Sequence, residues 1–224
     1  MKRTKLKDRI LPKYTKGEEI FNYVTHIVGG AVGIVTVVFA SIIGAKHGSA
    51  YSVVSGVIFG TTMIFLYTMS VLYHALKPDS KAKKVFQILD HCAIFSLIAG
   101  TYTPIALCSL REHSTALGWT IFGVIWAMAA LGITLNAIDL KKYKKFSMIC
   151  YLAMGWCIIV TGGLMLEILT LPGFILLISG GVVYTIGAVL YVIGKKHKYI
   201  HSLFHIFVLL GNILHALCVL LYVL

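Results

Sequence analysis

The chain has 224 residues, of which 58% are hydrophobic and only 12% are charged. This composition excludes an ordinary soluble domain, because a soluble domain of this length needs a more polar surface. The charged residues form short clusters between long apolar runs, which is typical of a polytopic membrane protein. The net charge of +12 does not indicate nucleic-acid binding, because the basic residues are dispersed over separate segments that can attract anionic lipid headgroups.

Seven apolar runs reach the length of about 18 to 25 residues that a membrane-spanning helix needs. None shows the alternation of apolar and polar residues that marks a barrel strand, so an all-α, seven-transmembrane helix bundle is predicted. The first run is longer than the apolar region of a signal peptide, and we expect it to stay in the protein. The predicted spans cover residues 19–45, 50–75, 86–109, 116–138, 147–166, 171–194 and 200–224.

Lysine and arginine are distributed unevenly between these spans. The N-terminal segment and the second, fourth and sixth loops carry all but two of the 20 basic residues. Because positively charged loops stay in the cytoplasm, this distribution predicts a cytoplasmic N-terminus and an extracellular C-terminus, in the cell membrane. The short loops indicate one compact domain, residues 18–224. A basic segment, residues 1–17, precedes it, and we expect that segment to be mobile or to lie on the membrane surface.

Ionisable side chains inside a membrane are costly, about 2.5 to 3.5 kcal/mol each on insertion scales, so each needs a partner or a function. Asp90 is the clearest case of such a costly residue, because it is the only carboxylate well inside a predicted span. The other ionisable residues at membrane depth are histidines: His26, His74, His91, His201, His205 and His215.

The predicted orientation brings several polar residues to one depth. Ser70 and His74 lie in the last turns of the second span, and Asp90 lies about one turn into the third. His201 and His205 lie in the first two turns of the seventh span. All five positions are at cytoplasmic helix ends, so three segments that are distant in sequence meet there.

Spacing adds a chemical interpretation. His201 and His205 are four residues apart, so their rings lie on one face of a helix and can hold one ion together. With His74 they make three neutral imidazoles, the ligand set of a catalytic zinc site whose fourth position is open. Such a site activates a water molecule, which Asp90 would hold or deprotonate, while Ser70 would polarise a substrate carbonyl or orient a ligand.

Each residue also has a structural explanation when it is taken alone. His201 would be an interfacial histidine, His74 would snorkel at a helix end, and Ser70 would bond back to the carbonyl of Leu66. The coincidence of all of them at one depth favours a shared metal site over these separate explanations.

Asp90 has its own alternative, a structural ion pair with Lys83 or Lys84, although both lysines are expected to lie in the loop and face headgroups. His91 points about 100° away from Asp90 on the same helix, so we do not expect the two to serve one centre. A bond from His91 to a neighbouring helix is the expected role.

His26 competes with His74 for the third ligand position. Glu18, Glu19, Asn22 and His26 fall near one face of the first helix, about two turns deep. Because His26 lies deeper than His74, we expect it to have a hydrogen-bonding or packing role.

The combined pattern of Ser70-x3-His74, Asp90 and His201-x3-His205 resembles a known signature. It is shared by the bacterial hemolysin III proteins, the progestin and adipoQ receptor family and the alkaline ceramidases. The surrounding sequences YHAL, DHCAIFSLIAGTYTP and HSLFH are similar to the hemolysin III branch in particular, and the resemblance covers the whole helical region.

The resemblance implies a zinc on the cytoplasmic side, held by His74, His201 and His205. It also implies that Asp90 contacts the activated water and that Ser70 lies next to the ligands without binding the zinc. In the ceramidase relatives this arrangement hydrolyses a lipid amide, and a similar activity is proposed for the adiponectin receptors. The bacterial branch takes its name from cell lysis and is also linked to membrane-energy or lipid homeostasis. Because the long N-terminal region of the animal receptors has no counterpart in this sequence, a hormone-receptor role is not expected.

Three functions are therefore open at the level of sequence. The leading hypothesis is a zinc-dependent hydrolase of a lipid amide or ester, with membrane lipids as its environment and its substrate. The alternatives are a lytic or pore-forming membrane protein, and a non-catalytic zinc protein that senses membrane state. The sequence identifies no protein partner.

Overall fold

The computed structural model describes residues 3–193 and 197–224. Helix accounts for 89% of the protein and the described residues contain no strand, which confirms the all-α class. Three of the basic residues in the predicted topology, Lys2, Lys195 and Lys196, lie outside the described part of the chain. The helices are α1 (Lys16–Lys46), α2 (Ala50–Ala75), α3 (Lys81–Pro104), α4 (Arg111–His113), α5 (Thr115–Trp156), α6 (Gly162–Ile193) and α7 (Ile200–Tyr222), with 3-10 turns at Leu6–Asp8 and Cys157–Thr161 and a π-helical segment at Ile105–Leu110.

Among the described residues, five helical segments are long and apolar enough to span a membrane. Four of them match single predicted spans, and the fifth, Thr115–Ile193, covers the predicted spans 116–138, 147–166 and 171–194. The protein is therefore a multi-pass membrane protein.

The backbone leaves helical geometry at two points within the Thr115–Ile193 stretch. Asp139 is extended, with φ −157° and ψ 88°, and its Oδ1 accepts a hydrogen bond from the Lys142 N–H, as an N-cap residue does. Thr170 has φ 57° and ψ 169°, and Pro172 follows two residues later, where its missing N–H is tolerated. Both breaks lie in or beside the loops that the sequence predicts.

The helices pack in a ring in which α1 contacts α2 and α7, α2 contacts α3, α3 contacts α5, and α6 contacts α7. Close approach of α1 and α2 depends on Gly29, where an added Cβ would lie 2.3 Å from the Tyr67 ring. The outward face of α1 is apolar and exposed, with Ile27, Ile34 and Val38 on it. Such a large exposed apolar face fits contact with lipid rather than water.

The N-terminal segment differs from the sequence expectation. Residues 1–17 were expected to be mobile or to lie on the membrane surface, but residues 3–15 pack across one end of the bundle, and Leu11 is buried. Backbone and side-chain hydrogen bonds fasten the segment to α3 and α5, which local sequence cannot reveal because the partners are far apart in the chain. These bonds join Arg3 Nε to the Ile138 carbonyl (2.7 Å), the Thr4 N–H to Asp139 (2.8 Å), the Arg9 guanidinium to Gln87 Oε1 (2.5 Å), and Lys84 Nζ to the Lys7 carbonyl (3.0 Å).

Candidate metal centre

Four helix ends meet at the end of the bundle that the N-terminal segment covers: the beginnings of α1, α3 and α7 and the last turns of α2. The Thr15 and Glu18 side chains form a capping box that fixes the beginning of α1. The second carboxylate oxygen of Glu18 accepts a 2.8 Å hydrogen bond from the N–H of Tyr199, the residue before α7. Glu18 therefore ties the first turn of α7, and with it His201, to α1.

The three histidines that the sequence groups together do meet at this end. The Nε2 atoms of His201 and His205 are 3.0 Å apart, and one ligand nitrogen from each of His74, His201 and His205 lies within 4.8 Å of the others. His74 and His205 are each only 2% exposed. This group could hold a metal ion.

The donor set can be tested for its fit to zinc. Nitrogens about 2.0–2.1 Å from a tetrahedral zinc are roughly 3.3 Å apart, close to the separation of the His201 and His205 nitrogens. The Nε2 atom of His74 is buried and has no hydrogen-bond partner among the described residues. Burying a polar atom without a partner is costly, so a ligand for this nitrogen would remove a penalty. The residues present fit the metal.

Glu19 fixes the ring of His74. Its Oε2 is 2.6 Å from His74 Nδ1, and its Oε1 accepts a 2.7 Å hydrogen bond from the buried Lys83 ammonium. Because a carboxylate accepts, Nδ1 carries the proton and the lone pair lies on Nε2. This carboxylate–histidine pair is the usual support of a metal-ligating imidazole.

His26 plays the same part for His205. The two rings face each other, with His205 Nδ1 2.6 Å from His26 Nε2. When Nδ1 donates to His26, the lone pair of His205 lies on Nε2, which faces His201. His26 therefore has the hydrogen-bonding role that the sequence predicts and lies behind a member of the histidine group.

Asp90 and Ser70 line a cavity of about 190 Å³ together with His201 and His205. The Ser70 hydroxyl is fully buried beside the Asp90 carboxylate and does not bond back to Leu66. Asp90 pairs neither with Lys83, whose partner is Glu19, nor with Lys84, whose Nζ donates to the Lys7 carbonyl. The catalytic roles of Asp90 and Ser70 stay predictions.

Two expectations about the start of α3 are wrong. Lys83 was expected to face headgroups from the loop, but its side chain is 2% exposed and lies inside the bundle. His91 was expected to point away from Asp90, but its Nδ1 is 3.6 Å from Asp90 Oδ2 and both residues line the cavity. The expected bond of His91 to a neighbouring helix is present, because its Nε2 is 3.1 Å from the hydroxyl of Tyr191 on α6.

The cavity continues from the histidines towards the middle of the bundle. Tyr14 of the N-terminal segment lines it and stacks on His201, with ring centroids 4.8 Å apart and planes 17° from parallel. Burial raises the pKa of the Tyr14 phenol above its ordinary value, so this side chain stays neutral. The walls are largely apolar, and they include Leu66, Ile94, Leu97, Ile98, Leu152 and Val208.

Glu19, Lys83 and Tyr14 are the residues of the site that sequence reasoning missed. A weak signal exists for Glu19, since it shares a helix face with Asn22 and His26. Its contact with His74 depends on how α1 packs against α2, and no local pattern encodes that. Tyr14 gives no signal, because it precedes the first helix.

The fold and the site define a class: a multi-pass α-helical membrane protein with a buried histidine group at one end of its bundle. The chain belongs to the haemolysin-III related family, whose model matches residues 14–216. It is 42% identical to Hemolysin-3 of Bacillus cereus over 207 residues, 92% of each chain. It is 39% identical to the Hemolysin-3 homolog of Bacillus subtilis (strain 168) over 209 residues, 93% of this chain and 96% of that one. These matches confirm the resemblance found in the sequence and place the protein in the cell membrane.

Proposed function

We propose that this protein is a zinc-dependent membrane hydrolase of a lipid amide or ester, with its site on the cytoplasmic side. One observation carries the proposal: three histidines, two of them buried and one with an Nε2 that has no partner among the described residues, lie beside an apolar cavity that also contains a buried hydroxyl and a carboxylate. Apolar walls suit a lipid chain, and the histidines, the hydroxyl and the carboxylate lie together at one end, where a scissile carbonyl would be placed.

The proposed division of labour follows from the geometry. His74, His201 and His205 would hold the ion through Nε2, and Glu19 and His26 would keep two of these rings in the required tautomer. Zinc supplies a Lewis acid that polarises carbonyls and makes water acidic near neutral pH.

Two further side chains would act on the reacting atoms. The Asp90 carboxylate would take the proton from the attacking water as general base and pass it to the leaving amine or alkoxide. The Ser70 hydroxyl, which is buried beside Asp90, would donate a hydrogen bond to the substrate carbonyl oxygen. The chain's own contribution is to orient the substrate carbonyl between these groups and to exclude bulk water.

The cytoplasmic placement depends on the proposed topology of seven spans with the N-terminus inside. The distribution of lysine and arginine supports this topology, and so do the two breaks at Asp139 and Thr170, which divide a stretch that is too long for one span. In this topology, the beginnings of α1, α3 and α7 lie at the inner face of the membrane.

Purified protein and a His205→Ala variant test the proposal. We expect the parent to contain about one equivalent of zinc and to hydrolyse a ceramide or a lipid ester, and the variant to lose both properties. Zinc retained by the variant, or an intact lipid after incubation with the zinc-loaded parent, would contradict it. Metal that raises the melting temperature without any turnover would instead favour a non-catalytic sensor.

A lytic function is the second candidate, and the name of the Bacillus cereus relative, Hemolysin-3, is the observation that favours it. Release of a dye from lipid vesicles distinguishes the two functions. Leakage that survives removal of zinc by a chelator would support lysis, whereas the hydrolase predicts intact vesicles.

A further inference from the structure

The far end of the cavity contains two polar groups that the proposed reaction does not use. His215 on α7 and Tyr184 on α6 both line the cavity there. The Nδ1 atom of His215 and the hydroxyl of Tyr184 are buried and have no hydrogen-bond partner among the described residues. His215 as a whole is only 8% exposed. Two orphaned polar groups in an apolar wall indicate a place for a polar ligand atom.

The protonation state of His215 follows from its other contact. Its Nε2 is 3.1 Å from the Leu177 carbonyl, and since a carbonyl only accepts, Nε2 carries the proton. Nδ1 therefore presents a lone pair and accepts a hydrogen bond. Tyr184 can donate or accept, and its ring lies 5.3 Å from the His215 ring. A neutral hydroxyl group, which both donates and accepts, satisfies this pair.

Two glycines make room for these side chains. A Cβ atom at Gly180 would lie 2.2 Å from His215 Cδ2, and a Cβ atom at Gly211 would lie 2.9 Å from Tyr184 Cε1. The helices α6 and α7 thus come together closely only because both positions lack a side chain. The packing holds the two polar groups against the cavity, where a larger residue would displace them.

We propose that His215 and Tyr184 form a second polar subsite, which binds a hydroxyl group on the hydrocarbon chain of a lipid in the cavity. His205 and His215 are ten residues apart on α7, so this subsite lies about 15 Å along the helix axis from the histidine group. The lipid would place its polar head at the histidines and its chain hydroxyl at His215. The inference depends on the proposed function only in taking the cavity as a lipid-binding site.

A matched pair of fatty acids tests this subsite by binding alone. Dodecanoic acid and ω-hydroxydodecanoic acid are titrated calorimetrically into the zinc-loaded protein in detergent, beside the isomer whose hydroxyl is next to the carboxyl group. We expect the ω-hydroxy acid to bind about tenfold more tightly than the other two, a difference of about 1.4 kcal/mol. Tyr184→Phe should abolish this preference and leave the affinity for dodecanoic acid unchanged, and Tyr23→Phe on α1 is the control that keeps the preference.

Equal affinity for all three acids would overturn the proposal and would mean that the subsite holds only water. A preference that survives in Tyr184→Phe, or failure of every acid to bind, would overturn it as well. The readout needs no turnover. A protein that shows the preference but hydrolyses no lipid would therefore retain the subsite and lose only the hydrolase proposal.

Discussion

Two imidazole rings at the metal centre are controlled by what their Nδ1 atoms touch. Glu19 accepts from His74, and His26 lies within hydrogen-bond distance of His205 Nδ1. The Glu19 contact keeps the proton of His74 on Nδ1 and leaves its lone pair on Nε2, and His205 has the same arrangement when its Nδ1 donates to His26. A ring that could flip or change tautomer would present its lone pair to the centre only part of the time, so these partners raise the affinity for a metal.

Replacing Glu19 by glutamine should therefore weaken zinc binding by about 10- to 100-fold, because the amide is a poorer acceptor for the His74 N–H and no longer neutralises Lys83. Competition with a chelator of known affinity measures the effect. Glu112→Gln is the matched control, because Glu112 is exposed and distant in the chain from His74, His201 and His205. Unchanged zinc affinity in Glu19→Gln would contradict the assigned role.

Replacing Ser70 by alanine should change activity but not stability. Its hydroxyl is buried and makes no well-formed hydrogen bond beyond its contact with the neighbouring Asp90, so Ser70→Ala removes a buried polar group at the cost of at most that one contact. The melting temperature should stay the same or rise slightly, while hydrolysis should slow by about tenfold or more, which corresponds to roughly 1.4 kcal/mol of transition-state stabilisation. A lower melting temperature with full turnover would make Ser70 a structural residue.

The ends of the helices and the contacts between helices set the positions of these residues. The capping box fixes the beginning of α1, and the neighbouring Glu18 contact holds the beginning of α7. The α1–α2 contact then sets the distance from Glu19 to His74. A shift of α1 by one residue would rotate Glu19 by about 100° and remove it from His74.

The α1–α2 contact can be tested at two neighbouring glycines. In Gly29→Ala the new methyl group would lie 2.3 Å from the Tyr67 ring, so the helices must separate, and we expect a loss of about 1–3 kcal/mol in the free energy of unfolding. In Gly30→Ala the nearest atom is 3.9 Å away, and stability should be unchanged or higher. Reversible unfolding in mixed detergent compares the two. Equal stability of both variants would show that α1 and α2 are not packed as described.

The N-terminal segment supports a kinetic prediction. Because Tyr14 lines the cavity and stacks on His201, Tyr14→Ala should release zinc to a chelator several-fold faster than the parent. Tyr23→Ala, on α1 outside the cavity lining, should release it at the parental rate. Stopped-flow measurement with a fluorescent chelator provides both rates, and equal rates would show that Tyr14 does not cover the site.

The molecule buries polar side chains within a largely apolar core and also exposes large apolar side chains, which a soluble protein rarely does. Buried polar residues include Asn22, Ser70 and Asn136, whereas α1 exposes isoleucine and valine. In lipid, backbone polar groups must be satisfied within the helix, which leaves side-chain polarity for function and for contacts between helices. The side chains with proposed reactive roles, Ser70, Asp90, His201 and His205, accordingly line the cavity.

Fusions to alkaline phosphatase, which is active only outside the cytoplasm, test the proposed topology of the molecule. Fusions after His113 and after Leu224 should be active, and a fusion after Lys142 should be inactive, because lysine-rich loops stay inside. An inactive fusion after Leu224 would mean an even number of spans, and the N-terminus and the C-terminus would then lie on the same side.

The sequence by itself determined the class of the protein, its helices and the grouping of His74, His201 and His205. These features depend on long apolar runs and on spacings within single helices, which local sequence encodes directly. The same reasoning placed Lys83 in a loop and expected residues 1–17 to be mobile or to lie on the membrane surface, because it has no information about contacts between distant segments.

Only the tertiary structure decided which residues support the histidines. Glu19 reaches His74 across 55 positions of the chain, and His26 reaches His205 across 179. Such contacts depend on the rotation and depth of one helix relative to another. Many packings of the same apolar helices satisfy the sequence pattern equally well, and close contacts such as that of Gly29 with Tyr67 select one of them.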